Sequence, residues 1–156
     1  IILSGLYTLR ILLGTAATGV ITSFWLLAFA IFFFLSLALV KRFAELTALP
    51  PQLKEPVNGR GYVHSDRASL AHLGTSSGYL SVLVLALYIH SKEVAEFYSK
   101  PELLWFIAPL LLYWISRLWF LAHRNRVHED PILFAFRDPV SYAVGLFAVL
   151  FVFLAI

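Results

Sequence analysis

The chain contains no cysteine and no methionine, and only 13% of its 156 residues are charged. Without cysteine there is no disulfide framework and no thiolate metal site, and the redox compartment leaves no mark on the sequence. Scarce charge, beside 60% hydrophobic residues and a mean hydropathy of +0.82, excludes an ordinary soluble domain, which needs far less apolar material to fill one core. This is the composition of a membrane protein. Ten-residue strands of alternating polarity are missing, which argues against a transmembrane barrel. The Gly-x-Ser-x-Gly elbow of a serine hydrolase is also missing, and so is a zinc-binding HEXXH, since His123 and His128 are not spaced i,i+4. The excess of 12 Lys and Arg over 9 Asp and Glu does not indicate a nucleic-acid partner, because no soluble basic domain exists to present such a surface. The opening on Ile1, the lack of methionine and the stop at Ile156 inside an apolar run read as a piece of a longer protein. The first 20 residues lack the basic start, short apolar core and cleavage site of a signal peptide.

What is present is a series of apolar runs about as long as a bilayer core is thick, roughly 20 residues for 30 Å. Five are expected to span the membrane: residues 1–20, 21–40, 70–90, 103–122 and 140–156. In lipid only a helix satisfies its own backbone within one segment, so the fold class is all-α, an integral membrane helical bundle forming a single domain over 1–156. An uncharged turn around Gly19 joins the first two spans. The loop 41–69 carries Lys41, Arg42, Lys54, Arg60 and Arg67, and the loop 123–139 carries Arg124, Arg126 and Arg137. Five spans put these loops on one side, and the positive-inside rule makes that side cytoplasmic.

The centre of the chain is the run from Ile21 to Tyr62, where twenty uncharged residues lead into Lys41-Arg42-Phe43-Ala44-Glu45-Leu46. The loop 41–69 is long enough to form a functional cap. Its first turns are expected to remain helical, with Lys41 and Glu45 at i,i+4, until Pro50-Pro51 ends the helix. Gly59 and Gly61 flank Arg60 and allow a close backbone approach to a ligand. Ser65-Asp66 is expected to cap the helix that follows. Cations at a span's end are ordinary topology signals, but Glu45, Arg60, Tyr62 and Asp66 beside Lys41 and Arg42 make a candidate phosphate site. Arginine and lysine suit phosphate as fork and point charge, and a carboxylate can hold a bridging magnesium ion. Arg10 and Arg117 lie inside apolar spans, where a charge is costly and marks a functional position by default. Ser76-Ser77-Gly78 reads as close helix packing. His72 and His90, near helix ends, read as interface residues, and Trp25, Trp105, Trp114 and Trp119 as lipid-facing or interfacial aromatics. Pro109 is the one residue expected to break a span.

Tyr7-Thr8-Leu9-Arg10, Phe24-Trp25-Leu26-Leu27-Ala28-Phe29, the stretch from Leu35 to Leu46, Gly59-Arg60-Gly61-Tyr62, the stretch from Leu111 to Trp119, and Asp130-Pro131 together resemble the C-terminal half of the UbiA prenyltransferase superfamily. The closest branch is the bacterial one containing decaprenyl-phosphate phosphoribosyltransferase. The resemblance implies nine membrane helices around a central cavity, of which these five spans would be the last five, with 41–69 in the second cytoplasmic cap loop. It also implies Mg2+, held by an Asp-rich motif in each cap. The first motif would lie outside this chain, and the second is replaced here by Lys41, Arg42 and Glu45. Cations in place of carboxylates favour direct phosphate contact.

The expected function is therefore a membrane-embedded transferase acting on a polyprenyl phosphate, with phosphoribosyl transfer from phosphoribosyl diphosphate as the reaction. Lys41, Arg42 and Glu45 would be catalytic, through charge neutralisation and positioning. Arg10, Arg60, Tyr62, Asp66 and Arg117 would bind substrate, and Glu45 and Asp66 would be the metal ligands within this chain. Prenyl transfer to an aromatic or quinone acceptor is the rival within the same fold. A transporter or channel module, with Arg10 and Arg117 along an ion path, and a purely structural assembly subunit are the rivals from other classes.

Overall fold

The uncharged run beyond Ser23 forms helix α1, Phe24–Thr47. Its Leu and Ala residues are strong helix formers, and neither Gly nor Pro interrupts the run. At 1.5 Å per residue its 24 residues extend about 36 Å, more than a bilayer core. The helix does not stop where the charges begin, so Lys41, Arg42 and Glu45 occupy its last two turns. The structure, a computed structural model, describes residues 24–48, 63–127 and 130–156. The expected span 1–20 with Arg10, the Pro50-Pro51 stop and Gly59-Arg60-Gly61-Tyr62 lie outside the described residues.

A 3-10 turn, His64–Asp66, leads into α2, Arg67–Ile89. The short helix α3, Lys92–Phe97, and a 3-10 segment, Pro101–Phe106, precede α4, Ile107–His123. After α4 come α5, Pro131–Ala135, and α6, Pro139–Ala155. All regular structure among the described residues is helical. Among the described residues three stretches are long and apolar enough to cross a membrane: α1, α2 and Pro101–His123. Helix α6 is apolar but shorter, at 17 residues. Pro109 does not break its span. It sits in the first turn of α4, where a missing N–H costs little.

Helix directions follow from the contacts. Ser36 Oγ donates to the Gly74 carbonyl at 2.7 Å and Ser77 Oγ to the Phe32 carbonyl at 2.8 Å, so α1 and α2 run antiparallel. Trp114 stacks on Phe33 with ring centroids 5.9 Å apart, and His123 lies 4.5 Å from the Phe43 ring, so α4 runs parallel to α1. Helix α6 returns antiparallel to α4, with Phe151 5.1 Å from Phe106. One end of the bundle thus gathers the C-termini of α1 and α4 and the N-termini of α2 and α6. The described ends of the two basic loops therefore lie at that end.

The core lies between α1, α2 and α4. Val40, Phe43, Ile115 and Leu118 are buried there, around a notch in α2 made by small residues that let helices approach closely. A Cβ on Gly74 would sit 2.1 Å from a Trp119 ring carbon, and one on Gly78 would sit 2.7 Å from Ile115 Cγ2. Packing by Ser77 and Gly78 agrees with the sequence expectation; the reading of Trp119 as a lipid-facing aromatic does not. Its indole fills the Gly74 notch, is 3% exposed, and donates its N–H to Ser36 Oγ at 3.2 Å.

Candidate functional site

Charged side chains concentrate at the end formed by the C-termini of α1 and α4 and the N-termini of α2 and α6. Two Asp-Pro dipeptides, Asp130-Pro131 and Asp138-Pro139, start α5 and α6. Aspartate accepts an orphan N–H as N-cap, and proline at the first helical position has none to satisfy. Asp130 Oδ1 accepts from the Ile132 N–H at 3.0 Å and Asp138 Oδ2 from the Ser141 N–H at 2.8 Å. Each carboxylate also holds a cation from another helix. Lys41 Nζ lies 2.7 Å from Asp130 Oδ2. Arg117 grips Asp138 with both terminal nitrogens, at 2.7 and 2.8 Å. Ser141 Oγ donates to Asp138 Oδ2 at 2.9 Å, and Trp114 Nε1 donates to Ser141 Oγ at 2.8 Å, which extends this network into the bundle.

The electrostatics follow from this geometry. Burial by itself raises the Asp138 carboxyl, but hydrogen bonds from Arg117 and Ser141 outweigh it and hold it below the ordinary 3.8. Asp130 behaves alike, with burial opposed by Lys41 and the Ile132 N–H and the net direction downward from 3.8. Both cations are therefore held against ionised carboxylates at neutral pH.

The remaining expected residues are placed as follows. Arg42 pairs with Glu45 along α1. Lys41, which i,i+4 spacing set beside Glu45, reaches Asp130 across 89 residues of sequence instead. Asp66 does not cap α2 through its side chain; its Oδ2 accepts from the Val63 N–H at 3.0 Å and closes the preceding 3-10 turn. Arg67 lies 5.7 Å above the Phe43 ring, a cation–π distance. Arg10, Arg60 and Tyr62 are outside the described residues. No group of three His, Asp or Glu side chains among the described residues has the arrangement of a metal site, so these residues alone do not fit the magnesium ion that the resemblance implies. Asp130 and Asp138 are the partners that sequence reading did not assign. Their signal was the pair of Asp-Pro helix starts, which fixes both carboxylates at helix N-termini facing the cation-bearing ends of α1 and α4.

Beside this network lies an open, nearly all-apolar groove of about 540 Å³ between α1, α4 and α6, walled by Phe33, Leu111, Trp114, Phe136, Tyr142 and Leu146 among others. Helix α5 connects groove and charges. Asp130 at its start holds Lys41, while Ala135 at its end and Phe136 line the groove. A second hollow of about 370 Å³ lies on the outer face of α4, lined by Tyr113, Ser116, Arg117, Phe120, Leu121 and Arg124.

No family model matches the chain, and no solved structure matches it significantly. It is similar to an uncharacterized protein, y4nM, of Sinorhizobium fredii, 36% identical over 146 residues that cover 92% of this chain and 28% of that protein. It is also similar to the nodulation protein NoeC of Azorhizobium caulinodans, 36% identical over 140 residues that cover 90% of this chain and 46% of that protein. The chain therefore spans less than half the length of these relatives, and neither name states a reaction.

Proposed function

We propose that the chain is part of a UbiA-type transferase that works on a polyprenyl phosphate within the membrane, transferring phosphoribose from its diphosphate donor at the cytoplasmic face of a bacterial plasma membrane. In this reading its five spans are the last five of nine. An oxygen of the lipid phosphate forms the bond to ribose C1 while the bond from C1 to the diphosphate breaks. The isoprenoid lies in the apolar groove. Lys41 and Arg42 neutralise phosphate charge at the groove's end, Arg117 supplies a second positive centre, and Arg60 contributes a further phosphate contact. Such chemistry needs positioning and electrostatic stabilisation more than a nucleophile.

The observation that carries this reading is the arrangement of α5, which ties the cation at the end of α1 to an apolar groove opening between α1, α4 and α6. A lipid with a charged head and a long apolar tail needs both within one molecular length. Asp130 and Asp138 then act as positioning residues, keeping Lys41 and Arg117 oriented until phosphate takes over part of their charge.

The test is a transfer assay on the purified full-length protein in detergent, with polyprenyl phosphate and labelled phosphoribosyl diphosphate, with magnesium or with EDTA. Label is expected in the lipid phase, reduced at least about tenfold in Lys41→Ala, since a charge-assisted contact contributes about 1.5–3 kcal/mol. Unchanged turnover in a folded Lys41→Ala protein refutes the assignment. Release of diphosphate from a polyprenyl diphosphate with an aromatic acceptor, and no label transfer, selects prenyl transfer instead.

A further inference from the structure

We infer that the hollow on the outer face of α4 is a binding site for a phosphate ester at the membrane surface, which shares Arg117 with the proposed transfer site but neither Lys41 nor the groove at α1. Positions 113, 116, 117, 120 and 124 recur at three- and four-residue intervals and form one stripe on α4, facing away from the packed side carrying Ile115, Leu118, Trp119 and Ala122. The volume, about 370 Å³, is at the small end of ligand pockets. Two of its six lining residues are arginines and none is a carboxylate.

The hydrogen bonds show which groups are available. Ser116 gives its hydroxyl proton to the Leu112 carbonyl at 2.8 Å, so Tyr79 OH, 3.2 Å away, is the donor to Ser116 Oγ. Ser116 is thereby used up as a donor. The Tyr113 hydroxyl and the Arg124 guanidinium have no hydrogen-bond or ion-pair partner among the described residues, and both are exposed. Arg117 commits its terminal nitrogens to Asp138 and keeps Nε.

The helix end beneath Arg124 is also closed. Asn125, at φ 54°, ends α4 in a left-handed turn in which the Asn125 N–H donates to the Ala122 carbonyl at 3.0 Å and the Arg126 N–H to the Leu121 carbonyl at 2.9 Å. These bonds occupy C-terminal carbonyls that would otherwise compete with an anion for the Arg124 cation. Among the described residues the result is an unpaired guanidinium and phenol at the mouth, a second guanidinium behind them, and Phe120 and Leu121 as an apolar wall. A phosphate carrying an apolar tail fits that order. This inference goes beyond the transfer reaction, since a protein without transfer activity would still hold a lipid phosphate here.

The same chemistry is offered by a phospholipid headgroup and by soluble phosphate, and one titration separates them. Full-length protein in neutral detergent is titrated with phosphatidic acid, phosphatidylcholine or inorganic phosphate while its thermal unfolding is followed. Phosphatidic acid is expected to raise the midpoint more than phosphatidylcholine, with apparent affinity at least about tenfold weaker in Arg124→Gln and retained in Arg126→Gln, which lies outside the hollow. The shift is expected to persist in Lys41→Ala, which distinguishes this site from the proposed transfer site. Inorganic phosphate reproducing the shift, with the same dependence on Arg124, identifies a soluble ligand. Equal affinity in Arg124→Gln and the unaltered protein, or equal weakening by Arg126→Gln, overturns the proposal.

Discussion

Asp138 carries more of the charged end than any other described side chain, because it caps α6, accepts from Ser141 twice and receives both terminal nitrogens of Arg117. Its 8% exposure means that water does little to replace a lost partner. Asp138→Asn leaves Arg117 facing a neutral group, and a loss of about 2–4 kcal/mol is expected, seen as a lower unfolding midpoint in detergent. The pH dependence has a definite sign. Asp130 and Asp138 both titrate below 3.8 in the folded chain, so the unfolded chain binds more protons as pH falls through that range. Their stabilisation is complete above about pH 5 and is lost as pH drops through the folded values. In Asp138→Asn the acid-side decline of the unfolding midpoint should be shallower; an unchanged slope would assign the decline to other groups.

Among the helices, α2 is the one whose small residues decide the packing. Gly74 and Gly78 face Trp119, Ile115 and Ser36 with no room for a methyl group. Gly74→Ala and Gly78→Ala should each destabilise by about 1–3 kcal/mol through overpacking. Gly145 in α6 has nothing within 4 Å of a built Cβ, so Gly145→Ala is expected to be neutral or to stabilise by about 0.5–1 kcal/mol through helix propensity. Thermal unfolding of the three variants tests the contrast, and similar losses in all three would mean that glycine content, not the notch, sets the effect. The Ser77-Gly78 packing was legible in the sequence, because small residues inside an apolar run have few other uses. The place of Trp119 was not, because its partners Ser36 and Gly74 are on other helices.

For the molecule as a whole, antiparallel packing of α1 on α2 and of α4 on α6 puts Ser65 and Arg126 at one end and Ser99 at the other. The chain has no cysteine, so an introduced thiol is the only one it carries. Ser65→Cys and Arg126→Cys should react with an impermeant maleimide from the same side of sealed vesicles, and Ser99→Cys from the opposite side; labelling of all three from one side would rule out this arrangement in a bilayer. Composition by itself determined the solvent, because an apolar run of about 20 residues has no stable alternative to a helix in lipid, and the two apolar runs between loops 41–69 and 123–139 determined that those loops belong together. Arg117 was legible as an unusual cation because it interrupts an apolar span, and Lys41 and Arg42 only through the company of Glu45, Arg60, Tyr62 and Asp66. Their partners were decided only by tertiary structure. Sequence spacing reports neighbours one helical turn apart, as for Arg42 and Glu45, whereas Lys41 meets Asp130 across 89 residues and Arg117 meets Asp138 across 21. Those pairings exist because helix packing brings the capped starts of α5 and α6 against the ends of α1 and α4, a constraint carried by no single segment.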